Sequence, residues 1–180
     1  MLFAIFLFAA VAAFSRPAEI ILIRHAEKPT NPNDNHLSAK GKERAAALPR
    51  LFTPATEFTT NGRPFALFAA RPAPGQSRRA LETLQPTARR LHKPLQVPYF
   101  AQDVQRLARV ILTKRAYNGK TILVAWTHDY LPALAHELGV QNPPAWDSST
   151  FDRAWVITFE GNNVVLRDLP QALLPGDSTN

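Results

Sequence analysis

Short aliphatic runs alternate along this chain with longer amphipathic stretches. Ile21, Leu22 and Ile23 form the first run and read as a buried strand. "FALFAA" (65–70), "TILVAW" (121–126), "WVITF" (155–159) and "VVLRDL" (164–169) follow as further strands. The last two flank "EGNN", a hairpin signal in which Gly161, Asn162 and Asn163 all accept positive φ. The intervening stretches have helical spacing. Ser38 is placed to cap "AKGKERAAALPRLF", a helix expected to stop near Pro49 or soon after. "SRRALETLQPTARRL" (77–91) puts Leu81, Leu84, Ala88 and Leu91 on one face, and Pro86 implies a kink or a late start. "DVQRLARVILTKRA" (103–116) is amphipathic. "DYLPALAHEL" (129–138) runs to Gly139, a C-terminal stop.

The order β-α-β-α-α-β-α-β-β predicts an α/β fold. The expected architecture is a three-layer α/β/α sandwich whose central sheet is mostly parallel, with an antiparallel edge hairpin. A single domain is expected over 16–170, followed by a mobile polar tail at 171–180. "MLFAIFLFAAVAAFS" (1–15) is apolar and ends in small residues, like the hydrophobic region of a secretory signal peptide cleaved after Ala13 or Ser15. It is shorter than the roughly 20 residues that span a bilayer. The expectation is a secreted or periplasmic protein with no stable membrane insertion after signal removal. A cytoplasmic location follows if the segment is no signal.

Composition narrows the chemistry. Of 180 residues, 46% are hydrophobic, enough for a substantial core, and 16 prolines fall mostly between apolar runs. The formal net charge is +7 and the isoelectric point is near 10.2. That surplus favours anionic partners such as phosphate esters or a lipid surface. Nucleic acid is not expected, because the chain has no interleaving of aromatic and basic residues and no groove-reading motif. There is no cysteine, which excludes disulfides, thiol nucleophiles and zinc–cysteine sites.

Ligands of open α/β sheets bind beyond the carboxyl ends of the strands. Here the first strand ends in Arg24-His25. The second ends in "RPAPGQSRR", with Arg71, Arg78 and Arg79. The third ends in Trp126-Thr127-His128-Asp129. Parallel pairing would gather arginines and two histidines at one edge, a pocket suited to a dianion. Like-charge repulsion should lower the histidine pKa values, leaving a neutral imidazole as nucleophile or base. Taken singly, such residues have blander roles. Arg24 could pair with Glu27, Asp129 could cap a helix, and Arg78, Arg89 and Arg90 suit a solvated helix face.

Four segments in order resemble the histidine phosphatase superfamily, with its phosphoglycerate mutase-like fold. Arg24-His25-Ala26 is similar to the family's Arg-His-Gly. "HLSAKGKERAAAL" looks like its Leu-[Ser/Thr]-x-x-Gly-x-x-[Gln/Arg]-Ala segment through Leu37, Ser38, Gly41, Arg44 and Ala45. "SRRALETLQPTARRL" matches its Arg-Ala-x-x-Thr helix at Arg79, Ala80 and Thr83. "TILVAWTHDYLPALAHELG" resembles the segment bearing the second histidine, His128.

The resemblance implies a phosphomonoesterase with His25 as nucleophile, forming a phosphohistidine. Arg24, Arg79 and His128 would bind the phosphoryl oxygens, with no metal and no cofactor. Asp129 is the first candidate for the acid that protonates the leaving group. Asp103 is the second, Glu82 is weaker, and some small members have no dedicated acid. Implied substrates are a phosphorylated small molecule, a glycan or a lipid headgroup. The alternatives are a phosphohistidine protein phosphatase and a non-catalytic binder of phosphate ligands.

Overall fold

The computed structural model describes residues 16–53 and 55–179. The expected signal segment at 1–15 lies outside the described residues. Among the described residues, six strands form one sheet in the order β3-β2-β4-β1-β5-β6. They are β1 (Glu19–Arg24), β2 (Pro64–Ala69), β3 (Leu95–Gln96), β4 (Thr121–Trp126), β5 (Arg153–Glu160) and β6 (Asn163–Pro170). The helices are α1 (Ala39–Ala47), α2 (Arg79–Leu91), α3 (Val104–Thr113) and α4 (Leu131–Glu137).

β1 lies parallel to β4 in unbroken register from Glu19↔Thr121 to Arg24↔Trp126. β2 is parallel to β4 and to β3. β5 is antiparallel to β1, and the β5–β6 hairpin closes that side of the sheet. The crossovers β1→β2 and β2→β3 step one way along the sheet, and β3→β4 steps back. Right-handed connections therefore put α1 and α2 on one face and α3 on the other. α1 packs against α2, and α4 against α3.

The predicted core strands are the buried ones. Ile20 to Ile23 and Ile122 to Trp126 are at most 1% exposed, and each such side chain contributes about 1.5–3 kcal/mol through burial. A continuous apolar run without alternation fits a strand covered on both faces.

The boundaries differ from the sequence reading where local chemistry intervenes. The first helix ends at Ala47 and tightens into a 3-10 turn over Leu48–Phe52, with Pro49 in its first positions. The second begins at Arg79 and carries Pro86 inside it. Of the three residues in the last turn credited with positive φ, only Gly161 uses it. β3 has two residues, too short to leave a pattern in "KPLQVP". The terminal segment is not the mobile tail expected from its composition. Gln171 is buried, and the Asp177 carboxylate accepts hydrogen bonds from the Leu173 and Leu174 amides and from Arg44.

Candidate active site

The strand order puts β2, β4 and β1 side by side, so three of the carboxyl ends singled out in the sequence are neighbours. The His25 amide continues the β1–β4 ladder by donating to the Trp126 carbonyl at 2.9 Å. The Ala70 amide does the same across β2–β4, to the Ala125 carbonyl at 3.2 Å. A rigid sheet edge therefore carries Arg24, His25 and the chain entering His128.

His25 is 5% exposed. Its Nδ1 lies 2.8 Å from the Ala26 carbonyl oxygen. A carbonyl can only accept, so Nδ1 carries the proton and Nε2 keeps its lone pair. Burial lowers the His25 pKa to about 4, and the charges of Arg24, Arg79 and His128 push the same way. The imidazole is thus neutral across the physiological range.

Ala26 stands where the resembling motif has glycine, and its φ is not positive. Its amide donates to Thr83 Oγ1 at 2.9 Å, and that hydroxyl donates to the Arg79 carbonyl at 2.7 Å. Thr83 thereby ties the turn after the nucleophile position to the first turn of α2.

Arg24 is 1% exposed. Its Nη1 donates to the Ser148 carbonyl at 2.5 Å and the Thr150 carbonyl at 3.3 Å. The guanidinium lies 3.9 Å from the centre of the Phe151 ring. Burial lowers its pKa to about 10, so it stays charged. Its Nε is buried without a partner. The Glu27 pairing considered for it is not made, because Glu27 binds Arg44 and Lys40.

Arg79 is held by two carbonyls of the 34–36 loop: Nη2 donates to Asp34 O at 2.6 Å and Nε to His36 O at 3.1 Å. Glu82 grips the same loop through His36 Nδ1 and the Leu37 amide. It is engaged there as a brace. His128 opens a 3-10 turn (His128–Tyr130). Burial lowers its pKa, with Arg24 acting in the same direction. Its Nε2 is 3.2 Å from Asp129 Oδ1. Asp129 is 70% exposed and does not cap the turn, whose N-cap is Thr127.

Asp103 takes a different place. Its Oδ2 accepts the Phe100 amide at 2.9 Å, bracing the loop before α3. Asp129 and Asp147 are the carboxylates whose charge acts most strongly on Arg24.

The sequence reading missed the 147–151 loop entirely. It contributes two carbonyl oxygens, the Phe151 ring and the Asp147 charge to Arg24, and carbonyls leave no residue-specific signature. The Phe151 ring also lies 6.1 Å from the His25 ring, centre to centre.

Two motif glycine and arginine positions gain a physical reason. A Cβ on Gly41 would fall 2.4 Å from the Glu27 carbonyl oxygen, so α1 can approach the strand exit only with glycine there. Arg44 is buried between Glu27 and Asp177, contacting both at 2.8 Å or less. Burial would lower its pKa, but these two partners outweigh that and raise it.

Four parallel strands, β3-β2-β4-β1, with an antiparallel β5–β6 edge and helices on both faces are the layout of the phosphoglycerate mutase-like fold. Solved structures of that fold match along most of this chain. A phosphoglycerate mutase from Bacillus anthracis matches with a TM-score of 0.56 at 11% identity, over 87% of this chain and 94% of its own. A mycobacterial glucosyl-3-phosphoglycerate phosphatase, solved with inorganic phosphate, gives 0.55 at 13%, over 83% and 95%. A protein designated phosphohistidine phosphatase SixA, from Agrobacterium tumefaciens, gives 0.54 at 16%, over 85% and 97%. At these identities the likeness establishes a shared fold. No family model and no curated protein matches the sequence.

Proposed function

We propose that this protein is a phosphomonoesterase that works through a phosphohistidine on His25. The observation that carries this reading is the state of His25. It is neutral, with its lone pair fixed on Nε2, among Arg24, Arg79 and His128. In the first step Nε2 forms a bond to phosphorus, and the ester P–O bond breaks. Water then cleaves the N–P bond and releases inorganic phosphate.

Arg24, Arg79 and His128 stabilise the charge that spreads over the equatorial oxygens. The unpaired Arg24 Nε supports this role. A buried donor without a partner costs about 1–3 kcal/mol, and a phosphoryl oxygen would satisfy it. With two arginines and an imidazole supplying the positive field, the reaction is read as metal-independent. Asp129, on the turn that carries His128, gives the leaving oxygen its proton and takes one back from the attacking water. The substrate is a phosphorylated small molecule, glycan or lipid headgroup, and the net charge of +7 favours such anions. Export through residues 1–15 places the reaction outside the cytoplasm.

Rapid quenching with a labelled phosphodonor tests the reading. The label should appear on His25 as an acid-labile, base-stable adduct, and a strong chelator should leave the rate unchanged. Turnover without that adduct, or activity abolished by chelation, would count against it.

Asp129→Asn separates acid catalysis from mere placement of His128. The variant is expected to lose about 10²–10⁴-fold in kcat on an alkyl phosphate. On p-nitrophenyl phosphate, whose leaving group needs no proton, the first step, read from the burst of p-nitrophenolate, should slow only a few-fold. Equal losses in the first step on both substrates would remove Asp129 from the acid role.

A further inference from the structure

The site has a cavity beside it that the phosphoryl chemistry does not use. It measures about 450 Å³ and is lined by Ala70, Arg71, Gln76, Ala80, Gln102 and Thr127, among others. Three of these fix its position. Ala80 follows Arg79, Thr127 precedes His128, and Ala70 directly follows β2, the strand beside β4. The cavity therefore lies beside the phosphate-binding edge on the β2 side, and its lining includes neighbours in sequence of Arg79 and His128 but none of Arg24, His25, Arg79 or His128.

Apart from Ser77, whose hydroxyl accepts the Arg79 amide, its polar side chains are uncommitted among the described residues. Among the described residues, the Arg71 guanidinium has no ion pair and no hydrogen bond. It lies 5.1 Å from the centre of the Phe100 ring, and its backbone amide is pinned to the Tyr99 carbonyl at 2.7 Å. The loop carrying Phe100 is braced in turn by Asp103. The ring and backbone thus hold a planar cation at the cavity's rim with its donors free. Gln76 and Gln102 add amide groups, and no carboxylate lines the space. A second cavity shares Arg71, Ala73, Gln76 and Phe100, so Arg71 borders both.

We propose that this cavity is a leaving-group subsite and that Arg71 selects substrates carrying a second anionic group, a carboxylate or another phosphate. The inference rests on the phosphomonoesterase reading and names the substrate class for it. A guanidinium fork meets either oxyanion bidentately, and such charge-assisted hydrogen bonds are worth about tenfold or more in affinity. Arg71 sets specificity and takes no part in the bond-making steps.

The test uses matched pairs that differ only in the second group: glycerol 3-phosphate against 3-phosphoglycerate, and glucose 6-phosphate against glucose 1,6-bisphosphate. Calorimetric Kd and steady-state kcat/KM are measured for the full chain, Arg71→Gln and Arg109→Gln. The last removes the same charge from an exposed position on α3. The wild type should prefer the anion-bearing member of at least one pair by about tenfold or more. Arg71→Gln should erase that preference, mainly through Kd and KM, and Arg109→Gln should retain it. The pair that responds identifies the second group as carboxylate or phosphate. A preference unaffected by Arg71→Gln, or lowered equally by Arg109→Gln, overturns the subsite. No preference in the wild type overturns it too. Absence of any turnover, p-nitrophenyl phosphate included, sinks the phosphomonoesterase reading separately, because the Kd comparison still reports on Arg71.

Discussion

His25→Ala is expected to lower kcat by about 10⁴-fold or more, as loss of a covalent nucleophile does elsewhere, and to abolish labelling of the protein by a phosphodonor. The mutation removes the imidazole whose proton is held on Nδ1 by the Ala26 carbonyl, leaving the Nε2 lone pair free to attack. It leaves the sheet intact, because the ladder to Trp126 is made by the backbone. Circular dichroism and melting should therefore stay close to wild type while turnover disappears. A variant that keeps more than a few per cent of activity would transfer the nucleophile elsewhere.

The pH dependence of labelling follows from the same residue. Burial holds the His25 pKa at about 4, below the ordinary 6.5. Nε2 is nucleophilic only when the ring is neutral. Phosphoryl transfer to His25 should then persist as pH falls through 6 and decline near 4. The sign for stability is the same. The depressed pKa contributes stability that is complete above about 6.5 and lost as pH falls toward 4.

Arg44→Ala is expected to cost about 3–5 kcal/mol of stability, the range for breaking a buried ion pair, read as a lower midpoint in urea. It leaves two carboxylates, Glu27 at 12% and Asp177 at 3% exposure, facing each other without their shared cation. The effect should depend on pH. Burial alone would raise the Asp177 carboxyl, but hydrogen bonds from Arg44 and the Leu174 and Leu173 amides outweigh it and bring the pKa to about 2. A carboxylate with a depressed pKa stabilises the fold above its unfolded value and loses that contribution as pH falls through the folded one. The gap between wild type and Arg44→Ala should thus be full above about pH 4 and shrink toward pH 2. A gap that does not change with pH would mean that the variant acts by lost packing.

The sequence made the centre of the molecule legible and its edges less so. The runs Ile21–Ile23 and Thr121–Trp126 are uniformly apolar because they are buried on both faces, and burial is what such a pattern records. The step from Ile23 to Arg24-His25 marks the strand end for the same reason. His128 was readable because it follows such a run, and Arg79 because it opens the helix that resembles the family's Arg-Ala-x-x-Thr segment. Their roles in turnover await the experiments described above.

What escaped notice was held by backbone or by distance along the chain. Ser148 and Thr150 contact Arg24 through carbonyls, which any residue offers. Asp177 meets Arg44 across 133 positions, so nothing local distinguishes it from tail composition. Asp103 looked like a candidate acid from its order in the chain, and geometry sets it to hold the Phe100 amide instead.

Among the described residues no carboxylate makes an ion pair with Arg24; carbonyl dipoles and the Phe151 ring hold it, and Asp129 and Asp147 act on it without contact. Such partners orient a cation without cancelling its charge, so the pocket retains a standing positive potential between turnovers. Inorganic phosphate, released at the end of the proposed cycle, meets that potential as directly as the incoming ester does. The design that draws substrate in also slows the departure of product. In the proposed cycle, rising inorganic phosphate would compete with the ester for that cation and quieten the enzyme without any separate regulatory site.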